Sequence, residues 1–228
     1  MAKLVTLEDL QLRCREAADM VNSQFVTDPE LIRYINSSAQ ELYDILIMAY
    51  GEDYYVKPAP LEFAISGSED DLPADFYKAV GVDAKIGGDY VTLKPFEFSE
   101  RNRYSEPSSA LLSNGSPIRY KLFGDKIMWS TGAHTGTTVR IWYIPAMTEL
   151  TDPADTINGV NGWEEIIVVD TAIKMKAKQE DDVNLLMVRK QELLRRIEKA
   201  AQDRDAGMPH RITDVSRINN DLIDYDGY

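Results

Sequence analysis

The side chains able to support a reactive centre near neutral pH are few. There are two histidines, His134 and His210, and one cysteine, Cys14. His134 sits in the Gly- and Thr-rich STGAHTGTT, read as a hairpin loop, and His210 in a polar C-terminal stretch. Neither lies near a nucleophile-elbow pattern, so a Ser/His/Asp or Cys/His arrangement has no support. Cys14 falls on the apolar face of a helical pattern and is expected to be a small buried hydrophobe. As the only cysteine it makes neither an internal disulfide nor a cysteine zinc site. Phosphate-cradling GxxxxGK[ST] and GxGxxG patterns do not occur. The run from Asp152 to Gly159 faintly suggests a calcium loop, but Ala154 and Trp163 occupy the third and twelfth positions, where oxygen ligands are needed. Glu69-Asp70-Asp71 reads as a solvated acidic turn, and Asp181-Asp182 as acids at a helix start, because adjacent carboxylates diverge and no histidine flanks them. Arg101, Arg103 and Tyr104 form a small basic-aromatic group. Such a group can stack on a base, but in acidic surroundings it is better suited to salt bridges between subunits. No catalytic residue, metal or cofactor is expected.

The charge balance agrees. The chain has 228 residues, enough for one large domain or one domain with a sizeable insertion, and a net charge of -13. Phosphate backbones are bound mainly through cationic contacts, so this field argues against nucleic-acid binding. It suits a surface that DNA passes without sticking, and it is equally an ordinary solubility charge. The N-terminus is broken by acids and shows no signal-peptide h-region, and no apolar run reaches membrane-spanning length. Folding in a reducing cytoplasm is expected.

The elements that must position these residues are mostly helical at both ends. Thr6-Leu7-Glu8-Asp9 opens a first helix, with Thr6 as N-cap and Leu7, Leu10, Cys14, Ala17, Ala18 and Val21 on one face. Asp28-Pro29-Glu30 starts a second, with Asp28 as N-cap, running over about 29–50 to a C-cap at Gly51. From Glu52 the pattern changes to short strands. Residues 54–65 read as an edge strand or extended segment, and Phe76 to Ala84 as a strand turning at Gly87-Gly88 into Tyr90–Leu93. Residues 95–104 read as a short helix and 105–117 as a loop. Tyr120–Trp129 is a hairpin around Gly124-Asp125, and Val139–Ile144 a last strand. Residues 152–162 read as a loop. A long helical pattern from Trp163 to Gly207 then has one apolar stripe, a densely charged face of ordinary surface charges, and a cap or kink at Asp181-Asp182. The fold class expected is α+β: a bundle of about four helices from residues 1–51 and 159–207, a small antiparallel β-rich insertion at 52–158, and an extended C-terminal tail at 208–228.

Several stretches together resemble the head-to-tail adaptor (connector) proteins of tailed bacteriophages. They are ELIRYINSSAQELYDIL, LPADFYKAVGVDA, PFEFSERNRY, YKLFGDKIMW, YIPAMTEL, GWEEIIVVDTAIKMKAKQEDDV and RIEKAAQDRDAGMPHRITDV. The resemblance covers about residues 28–215 and implies a structural virion protein rather than an enzyme. It implies a homo-oligomeric ring, usually a dodecamer, assembled in the host cytoplasm and docked beneath the portal protein at the head–tail junction. Tail or nozzle proteins then bind the other side, genomic DNA passes through the channel without specific binding, and no membrane is involved. It further implies that the C-terminal tail clamps the portal. Met208, Pro209, Ile212, Val215 and Ile218 are the apolar anchors expected there, and Arg211 and Arg217 the groups that seek acids on the partner. The acidic end, with Asp221, Asp224 and Asp226, departs from that picture. Arg101, Arg103 and Tyr104 are the expected subunit contacts. The alternatives are a tail-completion or nozzle protein that binds tail components only, a hydrolase using exposed carboxylates, and a nucleic-acid-binding regulator.

Overall fold

The computed structural model describes residues 4–51, 54–101, 118–130, 135–158 and 162–202. Strand β1 (Leu4–Thr6) leads directly into helix α1 (Leu7–Ala17), whose N-cap Thr6 accepts the Asp9 N–H at 3.2 Å, as the sequence indicates. The helix stops at Ala17 and Asp19 takes a positive φ of 58°, so Val21 lies outside the helix and is exposed rather than on its apolar face. Helix α2 (Asp28–Tyr50) ends at Gly51, φ 83°, as expected. Its N-cap position is Thr27, not Asp28. Asp28 is drawn away by Arg15, whose guanidinium meets it at 2.7 Å.

The C-terminal helical pattern is two helices, α3 (Glu164–Lys178) and α4 (Asn184–Gln202). The break falls at the Asp181-Asp182 signal. Glu180 has φ 62° and the Asp182 carboxylate accepts the Asn184 N–H at 2.9 Å. The expected helix end at Gly207 lies outside the described residues. Helix α3 is buried through the consecutive run Ile166–Ala172, because α1, α2 and α4 pack around it. Leu7, Leu10, Leu31, Ile35, Ile167 and Ile197 are fully buried in this core, and Cys14 is buried with them as expected. The reading of the α3 charges as ordinary surface groups is corrected here: Asp170 and Glu164 are buried.

The middle of the chain forms strands β2 (Leu61–Ala64), β3 (Glu69–Asp71), β4 (Phe76–Ile86), β5 (Asp89–Thr92), β6 (Lys94–Pro95), β7 (Arg119–Phe123), β8 (Lys126–Trp129) and β9 (Thr138–Pro145). They make two four-stranded sheets, ordered β2-β9-β4-β5 and β3-β8-β7-β6. The edge strands of one sheet continue along the chain into the edge strands of the other. Ile65 extends the pairing with β9 by bonding Thr137 and Gly136, and the Ser68 carbonyl takes up the pairing with β8 through the Trp129 N–H. On the opposite side Leu93 bonds Val82 and Phe96 bonds Tyr120. The sheets therefore close on each other as a six-stranded barrel around Ile65, Val82, Ile127, Trp129 and Ile141. At these corners one continuous stretch of chain pairs with both sheets, while β2, β3, β5 and β6 remain the edge strands of their own sheets.

Four expectations change here. Glu69–Asp71 is strand β3 rather than a turn, although Glu69 and Asp71 are solvent-exposed as expected. The β-unit is not wholly antiparallel, since β6 pairs parallel with β7. Of the short helix expected at 95–104, the described part, which ends at Arg101, forms only one 3-10 turn at Phe98–Glu100. The loop expected at 152–162 contains strand β10 (Thr156–Asn158), which pairs antiparallel with β1. The Tyr120–Trp129 hairpin and the Val139–Ile144 strand form as expected. Where helices and barrel meet, Tyr43 and Ile47 of α2 pack against Ile144 of β9.

Candidate functional site

Three polar clusters have the residue types that catalysis could use, and each is satisfied internally. In the first, Asp170 of α3 accepts from Lys190 of α4 at 2.8 Å and from Ser38 of α2 at 2.6 Å, with Lys174 at 2.7 Å. Lys190 also reaches Glu41 of α2 at 2.6 Å. Burial pushes the Asp170 carboxyl up, but hydrogen bonds from Lys174, Lys190 and Ser38 outweigh it and hold the group at about 2. A carboxylate fixed in its charged form among two ammonium groups ties three helices together and is not poised to move a proton.

The second cluster lies on the barrel. The Asp83 carboxylate accepts from Arg140 at 2.7 Å, Thr92 at 2.9 Å and Trp142 at 3.1 Å. Burial opposes ionisation of Asp83, yet these bonds hold its pKa below the usual carboxylate range. The Arg140 guanidinium also lies 3.8 Å above the Tyr90 ring. In the third cluster, Lys57 donates to Asp75 at 2.6 Å and to the Tyr143 hydroxyl at 2.8 Å. Its hydrogen bond to Asp75 raises Lys57 and lowers Asp75, so both stay charged and neither is a neutral-pH base.

The acidic runs also serve the fold. Asp70 accepts the Trp129 indole N–H at 2.7 Å and is bonded by Ser66. Asp155 closes its own turn by accepting the N–H groups of Thr151 and Asp152, which occupies the oxygens of the failed calcium motif. Among the described residues, no group of three or more His, Cys, Asp or Glu side chains could hold a metal ion. No helix among them is long and apolar enough to cross a membrane.

The surface offers contact chemistry instead. Arg101 follows the 3-10 turn and lies 4.7 Å above the Phe98 ring. Phe98 in turn stacks on Phe123 at the tip of the β7–β8 hairpin, with centroids 5.9 Å apart and planes at 11°. Both rings are exposed. The sequence pointed to Arg101 but missed Phe98 and Phe123, which lie far apart in the chain and are joined only by the pairing of β6 with β7. Leu185, Met187 and Val188 form a second exposed apolar group, at the start of α4. Of the other expected contact residues, Arg103, Tyr104, Met208, Pro209, Arg211, Ile212, Val215, Arg217 and Ile218 lie outside the described residues, as do His134 and His210.

No curated protein sequence matches the chain. The sequence model of the SU10 adaptor protein family matches residues 5–213, nearly the whole length, which bears out the adaptor resemblance read from the sequence. The chain therefore belongs to the SU10 adaptor protein family, whose members are structural connectors and not enzymes.

Proposed function

We propose that the protein is the head-to-tail adaptor of a tailed-phage virion. In this reading copies of the chain assemble as a ring, a dodecamer, beneath the portal. Tail or nozzle proteins bind the far side, and the genome passes through the channel. The bundle of residues 1–51 and 159–207, the β-rich insertion at 52–158 and the tail at 208–228 are taken as its working parts. The family match over residues 5–213 carries the reading. The net charge of -13 supports a lumen that repels phosphate, so DNA slides without being held. Arg101, stacked on Phe98, is the subunit contact proposed among the described residues, joined by Arg103 and Tyr104. Met208, Pro209, Arg211, Ile212, Val215, Arg217 and Ile218 are proposed to clamp the portal, gaining buried area at an ordering cost.

The test compares portal-ring binding by the full-length protein and by a version ending at Gly207. Ring formation by the full-length chain alone supports an adaptor with a clamping tail. Equal binding by both keeps the portal partner but removes the tail residues from the contact. Failure of both, with binding to tail components, makes the protein a tail-completion or nozzle part instead.

A further inference from the structure

The β1–β10 ribbon has a free side. The Leu7 N–H bonds the Asp155 carbonyl, which sets the phase of the ladder. Val5 and Ile157 are then the pair that exchange bonds, and Thr156 turns its N–H and C=O away from β1. Those two groups have no partner among the described residues. Beside them lies an apolar cavity of about 280 Å³. Leu42, Tyr43 and Leu46 of α2 form its floor, the segment Ala146–Thr148 one wall, and Thr156–Asn158 the other. Strand β1 contributes nothing to the lining, so the cavity is on the outer side of β10. The backbone groups of Thr148, in the facing wall, also have no partner among the described residues. A trough with an apolar floor and unpaired peptide groups at Thr156 and Thr148, on facing walls, fits an extended polypeptide strand. No charged side chain lines it, and the adjoining positions Glu149 and Asp152 are acidic and exposed.

We infer that this trough holds the chain's own segment Arg211–Ile218 as an added strand beside β10. Three observations select that occupant. First, the segment runs R-I-T-D-V-S-R-I, so in extended form Arg211, Thr213, Val215 and Arg217 share one face. The two small β-branched groups suit the cavity, and the flanking arginines reach the acidic rim. Second, the segment has two arginines against one aspartate in a chain of net charge -13, so charge complementarity favours it. Third, α4 packs against α2, the helix that forms the trough floor, and eight residues separate its end from the segment. Arg196 lies 3.7 Å from the position a side chain would take at Gly162, four residues beyond Asn158. Residues 203–210 span roughly 26 Å when extended, more than two helix diameters. Held in cis, the segment is present at millimolar effective concentration. The inference rests on the proposed function only in that the parked strand is the same segment proposed to clamp the portal. The trough would hold it until the portal displaces it.

Spin-label distance measurement on the full-length protein tests this. Labels go on Met48→Cys, 77% exposed on α2, and on Ser216→Cys, on the face opposite Val215, while buried Cys14 stays unlabelled. The expected result is a narrow distance distribution centred within roughly 25 Å, about two helix diameters. It should persist when the labelled protein is diluted into a tenfold excess of unlabelled protein. The added change Val215→Asp should abolish the narrow component, and so should Ala146→Trp in the exposed wall. A broad distribution in the unmodified tail overturns the inference, as does a narrow one indifferent to both changes. A narrow distribution lost on dilution also overturns it, because the strand then comes from a second copy. None of these readings involves the portal, so they fail or succeed separately from the portal-binding test.

Discussion

The Lys190 ammonium of α4 meets the Asp170 carboxylate of α3 at 2.8 Å, inside the contact between three helices. Lys190 falls in the stripe that the helical periodicity marks as inward-facing, and Asp170 in the inward stripe of α3. Each would be costly to bury alone. Together with Lys174, Ser38 and Glu41 they form a network in which each charge has a partner. The network links α2, α3 and α4 at named positions.

Removing one partner leaves the others buried and unpaired. Asp170→Ala should cost about 3–5 kcal/mol of stability, the usual loss when half of a buried pair is deleted. Lys190→Met should also destabilise, and the double change should lose less than the sum of the two singles. Urea unfolding curves measure both, and strict additivity would mean the two groups are not coupled.

Acid should weaken the fold through the same carboxylate. Asp170 titrates at about 2 in the folded protein against about 3.9 for a free aspartate. Its folded pKa is depressed, so its contribution is present in full only from about pH 5 upward and is lost as pH falls towards 2. Asp83, also held below the normal range, adds to the loss in the same direction. Thermal melts from pH 5 to 2 should show Tm falling, with a shallower slope in Asp170→Asn.

Cys14 reports on the helical core. Burial pushes its thiol up to about 12, so almost no thiolate exists at pH 8 and none is accessible. Labelling by a disulfide reagent should be slow in the native protein and should rise in step with unfolding as denaturant is added. Rapid labelling without denaturant would show that α1 opens independently.

Gly51 and Gly67 separate backbone strain from crowding. Neither has an atom within 4 Å of where a Cβ would sit, but Gly51 has φ +83°. Gly51→Ala should cost about 1–2 kcal/mol because an L side chain strains that conformation. Gly67→Ala should be neutral or slightly stabilising, because it restricts the unfolded chain. Denaturation midpoints of the two variants give the comparison.

The sequence alone determined those elements whose signal is local. Thr6 caps α1 because its hydroxyl reaches an N–H three residues on, and Gly51 ends α2 because it accepts a positive φ. The Gly124-Asp125 hairpin and the burial of Cys14 follow equally from short-range pattern. The family likeness was legible because it is spread over long stretches of chain. Only the tertiary structure decided the remainder. Glu69-Asp70-Asp71 becomes a strand because β8 pairs with it and Trp129 bonds Asp70, and an acidic triplet carries no strand pattern of its own. Strand β10 exists because β1, distant in sequence, supplies its partner groups. The barrel closes through bonds at Ile65, Ser68, Leu93 and Phe96, whose partners lie on other strands. Asp170 is buried because ammonium groups from two positions converge on it. A sequence window shows what a residue prefers among its neighbours, whereas burial, pairing and closure depend on groups that only folding brings within bonding distance.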